Sequence, residues 1–222
     1  FKDCSKLEEI IIPSNVKYVG IKCFMNCKNL KKVTLDPYKT MIQINTFENC
    51  SSFTLLVIET AENKILQFDN KPYHSVKKII VPDHIEEFGE FSFCNFISLE
   101  EIQFPPKLKS IRNNSFENCQ SLKMIKYPKT VNTIENRCFS GCLSLVNVQL
   151  HESITSIDSR AFYKCTSLER IQIPIKIIKI SEDTFSFCRK LQEVKLNSGL
   201  QIIEKNAFTG CMNLEKIEIP HS

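Results

Sequence analysis

The chain has 222 residues with 42% apolar and 24% charged side chains, the ordinary range of a folded globular protein, and no apolar run of the roughly 18 residues that a membrane-spanning helix needs. A formal charge of +4, from 29 basic and 25 acidic side chains, is far from the concentrated basic stripe of a nucleic-acid binder. Eleven cysteines cannot all pair within one chain, so their positions must be read before any compartment is inferred.

Phenylalanine opens one unit after another at an interval of 23 residues, beginning with Phe1, Phe24 and Phe47. A unit spanning residues 70–92 is degenerate, with Asn70 in the phenylalanine position and Tyr73 in the cysteine position. The pattern then resumes at Phe93, Phe116, Phe139, Phe162, Phe185 and Phe208, the last opening an incomplete unit. Ten units therefore span residues 1–222 as one domain, and the interval is read as constant, without insertion. Three residues after the phenylalanine stands cysteine, as at Cys4, Cys27, Cys119 and Cys165, with Phe96 replacing it after Phe93, and three further on an apolar residue such as Leu7, Leu30 or Leu168.

The middle of each unit predicts a strand of about four residues, since Ile171 and Ile173 alternate with Arg170 and Gln172 in the period of a half-buried strand. Pro174 ends it, because proline cannot donate to a ladder, and Pro13, Pro82, Pro105 and Pro128 recur in the same place. The remainder has apolar residues at three-residue spacing, which predicts turns or short 3₁₀ segments. One unit cannot bury its own apolar face, so the units must stack, their strands forming a single ten-stranded parallel sheet roughly 45 Å long.

The unit F-x-x-C-x-x-L-x-x-I-x-I-P, clearest around Ala161-Phe162-Tyr163-Lys164-Cys165 and Ala207-Phe208-Thr209-Gly210-Cys211, resembles the leucine-rich-repeat family in its BspA-like, Treponema pallidum-type form. The resemblance covers the whole chain. It implies an α/β solenoid wound as a right-handed superhelix, with the parallel sheet on a concave face and short turns or 3₁₀ segments on the convex side. It also implies a non-enzymatic protein-binding or adhesion module at the cell surface, directed at a host or matrix protein. The free thiols and the absence of a visible export signal favour an alternative, a cytoplasmic scaffold or regulator of a signalling protein such as a phosphatase.

The aligned thiols could bind metal or form disulfides, but each lies between two core columns, so they read as buried and reduced. The pairs Cys23–Cys27 and Cys138–Cys142 stand five units apart, too far to close one zinc site. His74, His84, His151 and His221 accompany no recurring acid or nucleophile and read as surface residues. No catalytic or phosphate-binding motif occurs, so no enzyme activity and no cofactor are expected. Two glycosylation sequons begin at Asn49 and Asn113.

The exposed positions of the strand face form three columns, the third mostly proline. From the fifth unit onward the first two are polar, whereas in the first four Ile11, Leu55, Val57 and Ile80 come together, rimmed by Lys32 and Lys78. A contiguous apolar patch of this kind marks a protein-partner site. Lys39 and Glu62 replace apolar residues nearby, which predicts a bulged flank over residues 59–75 on the side away from the sheet. The units at both ends are uncapped, which fits a longer array or end-to-end self-association.

Overall fold

The structure, a computed structural model, describes residues 1–68, 73–217 and 219. The strands predicted from the alternation form a first row: Glu9–Ile11, Lys32–Leu35, Leu55–Ile58, Lys78–Ile80, Glu101–Ile102, Met124–Lys126, Asn147–Gln149, Arg170–Gln172, Glu193–Lys195 and Lys216–Ile217. Pairing is parallel with residues 23 apart opposite one another, as in Ile11↔Thr34↔Val57↔Ile80. Inward residues such as Val33, Leu56 and Ile79 are almost wholly buried.

A second row, which the sequence did not reveal, consists of two-residue strands at Tyr18–Val19, Met41–Ile42, Ile65–Leu66, Glu87–Phe88, Ser110–Ile111, Thr133–Ile134, Ser156–Ile157, Lys179–Ile180 and Ile202–Ile203. Two residues are too few to show a period. Their last residue, such as Phe88, Ile134 or Ile180, is buried in the core.

Among the described residues no helix of either kind occurs, so the expected α/β class gives way to an all-strand-and-turn solenoid. The reason lies in the backbone. The residues two before and two after each phenylalanine are left-handed, for example Arg160 (φ 59°) and Lys164 (φ 58°) around Phe162, or Asn114 (φ 58°) and Asn118 (φ 60°) around Phe116. A 3₁₀ helix needs negative φ throughout. The chain instead makes successive turns with the left-handed residue third, such as Phe162 to Cys165, whose closing hydrogen bond is 3.1 Å. Asparagine and glycine recur at these places because they enter the left-handed region at least cost.

These turns also join the units. The N–H groups of Arg160, Phe162 and Lys164 donate to the carbonyls of Glu182, Thr184 and Ser186 at 3.0, 3.0 and 2.8 Å, and the same trio recurs along the solenoid. Beneath it the phenylalanine rings stack, with centroids 5.7 Å apart for Phe139 and Phe162 and 5.6 Å for Phe162 and Phe185.

Two expectations of regularity are corrected. The first row is divided into groups of five, two and three hydrogen-bonded strands, with breaks after Glu101–Ile102 and after Asn147–Gln149. Across both breaks the turn bonds persist, from Asn95 to Glu117 and from Phe139 to Ala161, each at 2.8 Å, so stacking does not depend on an unbroken ladder. The second row is also not evenly spaced. Ile65 follows Met41 by 24 residues and precedes its partner Glu87 by 22, so the flank after Glu59 carries one extra residue that the next unit gives back.

That shift repairs the degenerate unit. Asn70 lies outside the described residues, but Phe68 is buried against Tyr73, Phe93 and Phe96 with centroids 5.6 to 5.7 Å away. Tyr73 and Phe96, in adjacent cysteine positions, stack on each other at 5.3 Å.

Candidate protein-interaction face

On the outward side of the first row, Ile11 and Ile80 are 60% and 47% exposed, Val57 is half-buried, and Thr34 between Ile11 and Val57 is almost covered. These four lie directly opposite one another on consecutive strands. The parallel line runs Glu9, Lys32, Leu55, Lys78 and Glu101. Lys32 pairs with Glu9 at 3.4 Å and Lys78 with Glu101 at 2.6 Å. Both ammonium groups are thus engaged on the sides away from Leu55, and the aliphatic surface between them stays open. All six residues singled out from the sequence share this one face. Thr34, at its centre, was missed because a lone threonine among aliphatic neighbours gives no apolar signal.

Charge along the solenoid is organised by the same interval. Glu8 pairs with Lys31, Glu100 with both Lys77 and Lys123, Arg160 with Asp183, and Glu86 with Lys64 and Lys109. The two lysines around Glu86 hold its carboxyl down at about 2. Such exposed pairs stabilise weakly but keep most of the surface electrically matched.

The thiol column is structural. Cys27, Cys50, Cys119, Cys142, Cys165, Cys188 and Cys211 each donate Sγ–H to the carbonyl of the phenylalanine 26 residues earlier, at 3.0 to 3.3 Å. Each such carbonyl also accepts the turn N–H within its own unit, so the thiol fills its second lone pair. Burial pushes these thiols up, Cys50 and Cys211 to about 11 and Cys119, Cys142, Cys165 and Cys188 well above the usual range. All eleven cysteines are free. Among the described residues no three His, Cys, Asp or Glu side chains converge as metal ligands.

The neighbouring small-residue column has a polar duty as well. Ser115 donates to the carbonyls of Gly89 and Arg112, and Thr46 to those of Gly20 and Gln43. His151 stands where other units have proline. Its Nε2 donates to the Pro128 carbonyl at 2.7 Å and its Nδ1 accepts the Ser153 N–H at 3.2 Å, closing the turn by side chain. It is therefore a turn residue and not a surface histidine, while His221 lies outside the described residues. Both sequon asparagines are tied into inter-unit contacts, Asn49 to Asn26 at 2.9 Å and Asn113 to Glu90 at 3.1 Å.

The sequence also gave no warning of a second apolar strip. Tyr18, Met41 and Ile65, the outward residues of the first three second-row strands, are 56%, 50% and 47% exposed, with Ile21 and Ile44 beside them at 59% and 57%. The following units carry Glu87, Ser110, Thr133, Ser156 and Lys179 in the strand position, until Ile202, 47% exposed, in the last second-row strand. The signal lay in that column, but without the second row it had no face to belong to.

The BspA type leucine rich repeat region matches the chain in six copies over residues 1–123, 68–176 and 109–222, which together cover it completely. The chain belongs to the BspA-type leucine-rich-repeat family. Among solved structures, the T. pallidum leucine rich repeat protein is 24% identical, with a TM-score of 0.54 over 94% of this chain and 78% of the other. The pneumococcal vaccine antigen PcpA is 15% identical, with a TM-score of 0.53 over 96% of this chain and 72% of the other. A leucine-rich repeat protein from Eubacterium ventriosum is 16% identical, with a TM-score of 0.51 over 96% and 66%. These likenesses show the fold. No curated protein matches the sequence significantly. In this BspA-type chain no helix among the described residues is long and apolar enough to cross a membrane.

Proposed function

We propose that the chain is a protein-binding module whose partner lies on the first-row face of units one to four, centred on Ile11, Leu55, Val57 and Ile80. The observation that carries this reading is the aligned aliphatic row, held open by the engagement of Lys32 with Glu9 and Lys78 with Glu101. Removing exposed aliphatic side chains from water is the main drive for association, and a rigid strand face presents them without a large ordering cost. From the fifth unit the same columns carry Gln103, Lys126, Gln149, Gln172 and Lys195, a solvated polar surface interrupted by the exposed Met124. Membership of the BspA-type family and the shared fold of a pneumococcal vaccine antigen support deployment at the cell surface against a host or matrix protein.

The test is binding of the chain to a panel of purified extracellular-matrix proteins by surface plasmon resonance, with Leu55→Asp/Val57→Asp as the variant. A charge placed in a buried contact should weaken binding at least about a hundredfold. Unchanged affinity with an intact fold would remove the face from the mechanism.

A further inference from the structure

At the C-terminal ends of the first four strands the face passes into a groove of about 540 Å³ lined by Ile12, Asp36, Ile58, Glu59, Ile80 and His84 together with neighbouring loop residues. Ile80 belongs both to this groove and to the exposed aliphatic row, so the two are continuous.

The column that forms one wall is proline at Pro13 and Pro82 and acidic between them at Asp36 and Glu59. The Glu59 N–H donates to the Leu35 carbonyl at 2.9 Å, which sets the two acids on adjacent strand ends, roughly 5 Å apart along the axis. Many other acids meet a base one unit away, as in Glu8–Lys31 or Arg160–Asp183, although among the described residues Glu90 and Glu152 are met only by N–H groups of Asn113 and Ile175. Among the described residues neither Asp36 nor Glu59 has an ion-pair partner, although Asp36 is only 3% exposed and uses Oδ1 to accept the Tyr38 N–H. The cation that lines the groove, Lys39, is turned to solvent and pairs with neither. His84, which also lines the groove, has a buried Nε2 with no hydrogen-bond partner.

Neither carboxylate is met by a cation, and an unfilled imidazole nitrogen lacks a donor or an acceptor. A single guest that is positively charged and carries several N–H groups answers both. A metal ion does not fit, because no three ligand side chains converge here. We propose that the groove takes a lysine or arginine side chain of the bound partner, whose neighbouring aliphatic residues lie on Ile11, Val57 and Ile80. This rests on the assignment of that face as the protein-binding surface. The guest's ammonium or guanidinium group lies at the acidic wall of Asp36 and Glu59, and another N–H of the guest donates to Nε2 of His84 as the Nδ1–H tautomer. The partner is thus a segment in which basic and aliphatic residues are close together, and binding weakens with salt.

The test is selection of a random dodecapeptide phage library on the immobilised chain, on Asp36→Asn/Glu59→Gln, and on Val57→Asp. Asparagine keeps the acceptor for Tyr38, and Glu59→Gln alone, at an exposed site, serves if the double variant does not fold. On the unaltered chain the enriched peptides should combine Lys or Arg with aliphatic residues, and a synthetic one should bind about tenfold more weakly to the neutralised variant. Enrichment without excess Lys or Arg, or equal binding by the neutralised variant, overturns the groove while leaving the face. Loss on neutralisation but not on Val57→Asp keeps the groove and overturns the face. No enriched family at all overturns both.

Discussion

Truncating Phe162 to alanine tests the stacked column directly. The ring is fully buried and lies between Phe139 at 5.7 Å and Phe185 at 5.6 Å, with interplanar angles of 9° and 1°. Removing a buried phenylalanine costs about 3–5 kcal/mol, and losing two ring contacts puts this one toward the upper end. Neighbouring units share the cavity, because each unit is stabilised largely by its contacts with the two beside it. Phe187→Ala is the internal control. It lies in the following unit, is half-buried, and meets one ring, Tyr163, edge-on at 5.6 Å, so its loss is about 1 kcal/mol. Urea unfolding followed by circular dichroism gives both values by linear extrapolation. Equal losses in the two variants, or a loss below about 2 kcal/mol for Phe162→Ala, would refute the column as the main inter-unit bond.

Thiol reagent at pH 8 should leave the seven buried cysteines unmodified in the native chain and reach all eleven after denaturation; rapid native modification of Cys142 or Cys165 would contradict their packing. Glu86 should stay ionised to about pH 2 in an NMR titration, against an ordinary value of 4.5. Because the folded value is the lower one, its contribution to stability is present above about pH 4.5 and is lost as the pH falls toward 2, and molar salt should raise the midpoint. Gly141 has φ +74° and an added Cβ would meet Asn118 Oδ1, so Gly141→Ala should cost about 1–2 kcal/mol by thermal unfolding, whereas Lys164→Gly at φ 58° should cost none.

The outward apolar row proposed as the interaction face was legible because it rests on short-range rules. Alternation in strands such as Leu55–Ile58 fixes which residues point outward, and the constant interval fixes which of them are neighbours. The groove was not legible as a site. Asp36, Glu59 and His84 come from three different units, and their meaning depends on the two acids having no ion-pair partner among the described residues, which only the three-dimensional pairings reveal. The second row failed for a different reason, since two residues such as Tyr18–Val19 carry no period.

By itself the sequence determined the repeat, the inward phenylalanine, cysteine and leucine columns, and the first strand row, since burial of a recurring apolar residue leaves one way for identical units to stack. Tertiary structure decided what depends on the unit next door: the thiol bonds to the preceding phenylalanine carbonyl, the substitution of Phe68 for a missing ring, and the division of the sheet. It also decided the turns. Of the two forms expected for the return path, turns and 3₁₀ segments, only the turns occur, because two residues per unit are left-handed, a choice imposed by the inter-unit bonds their neighbours make and not by any apolar period.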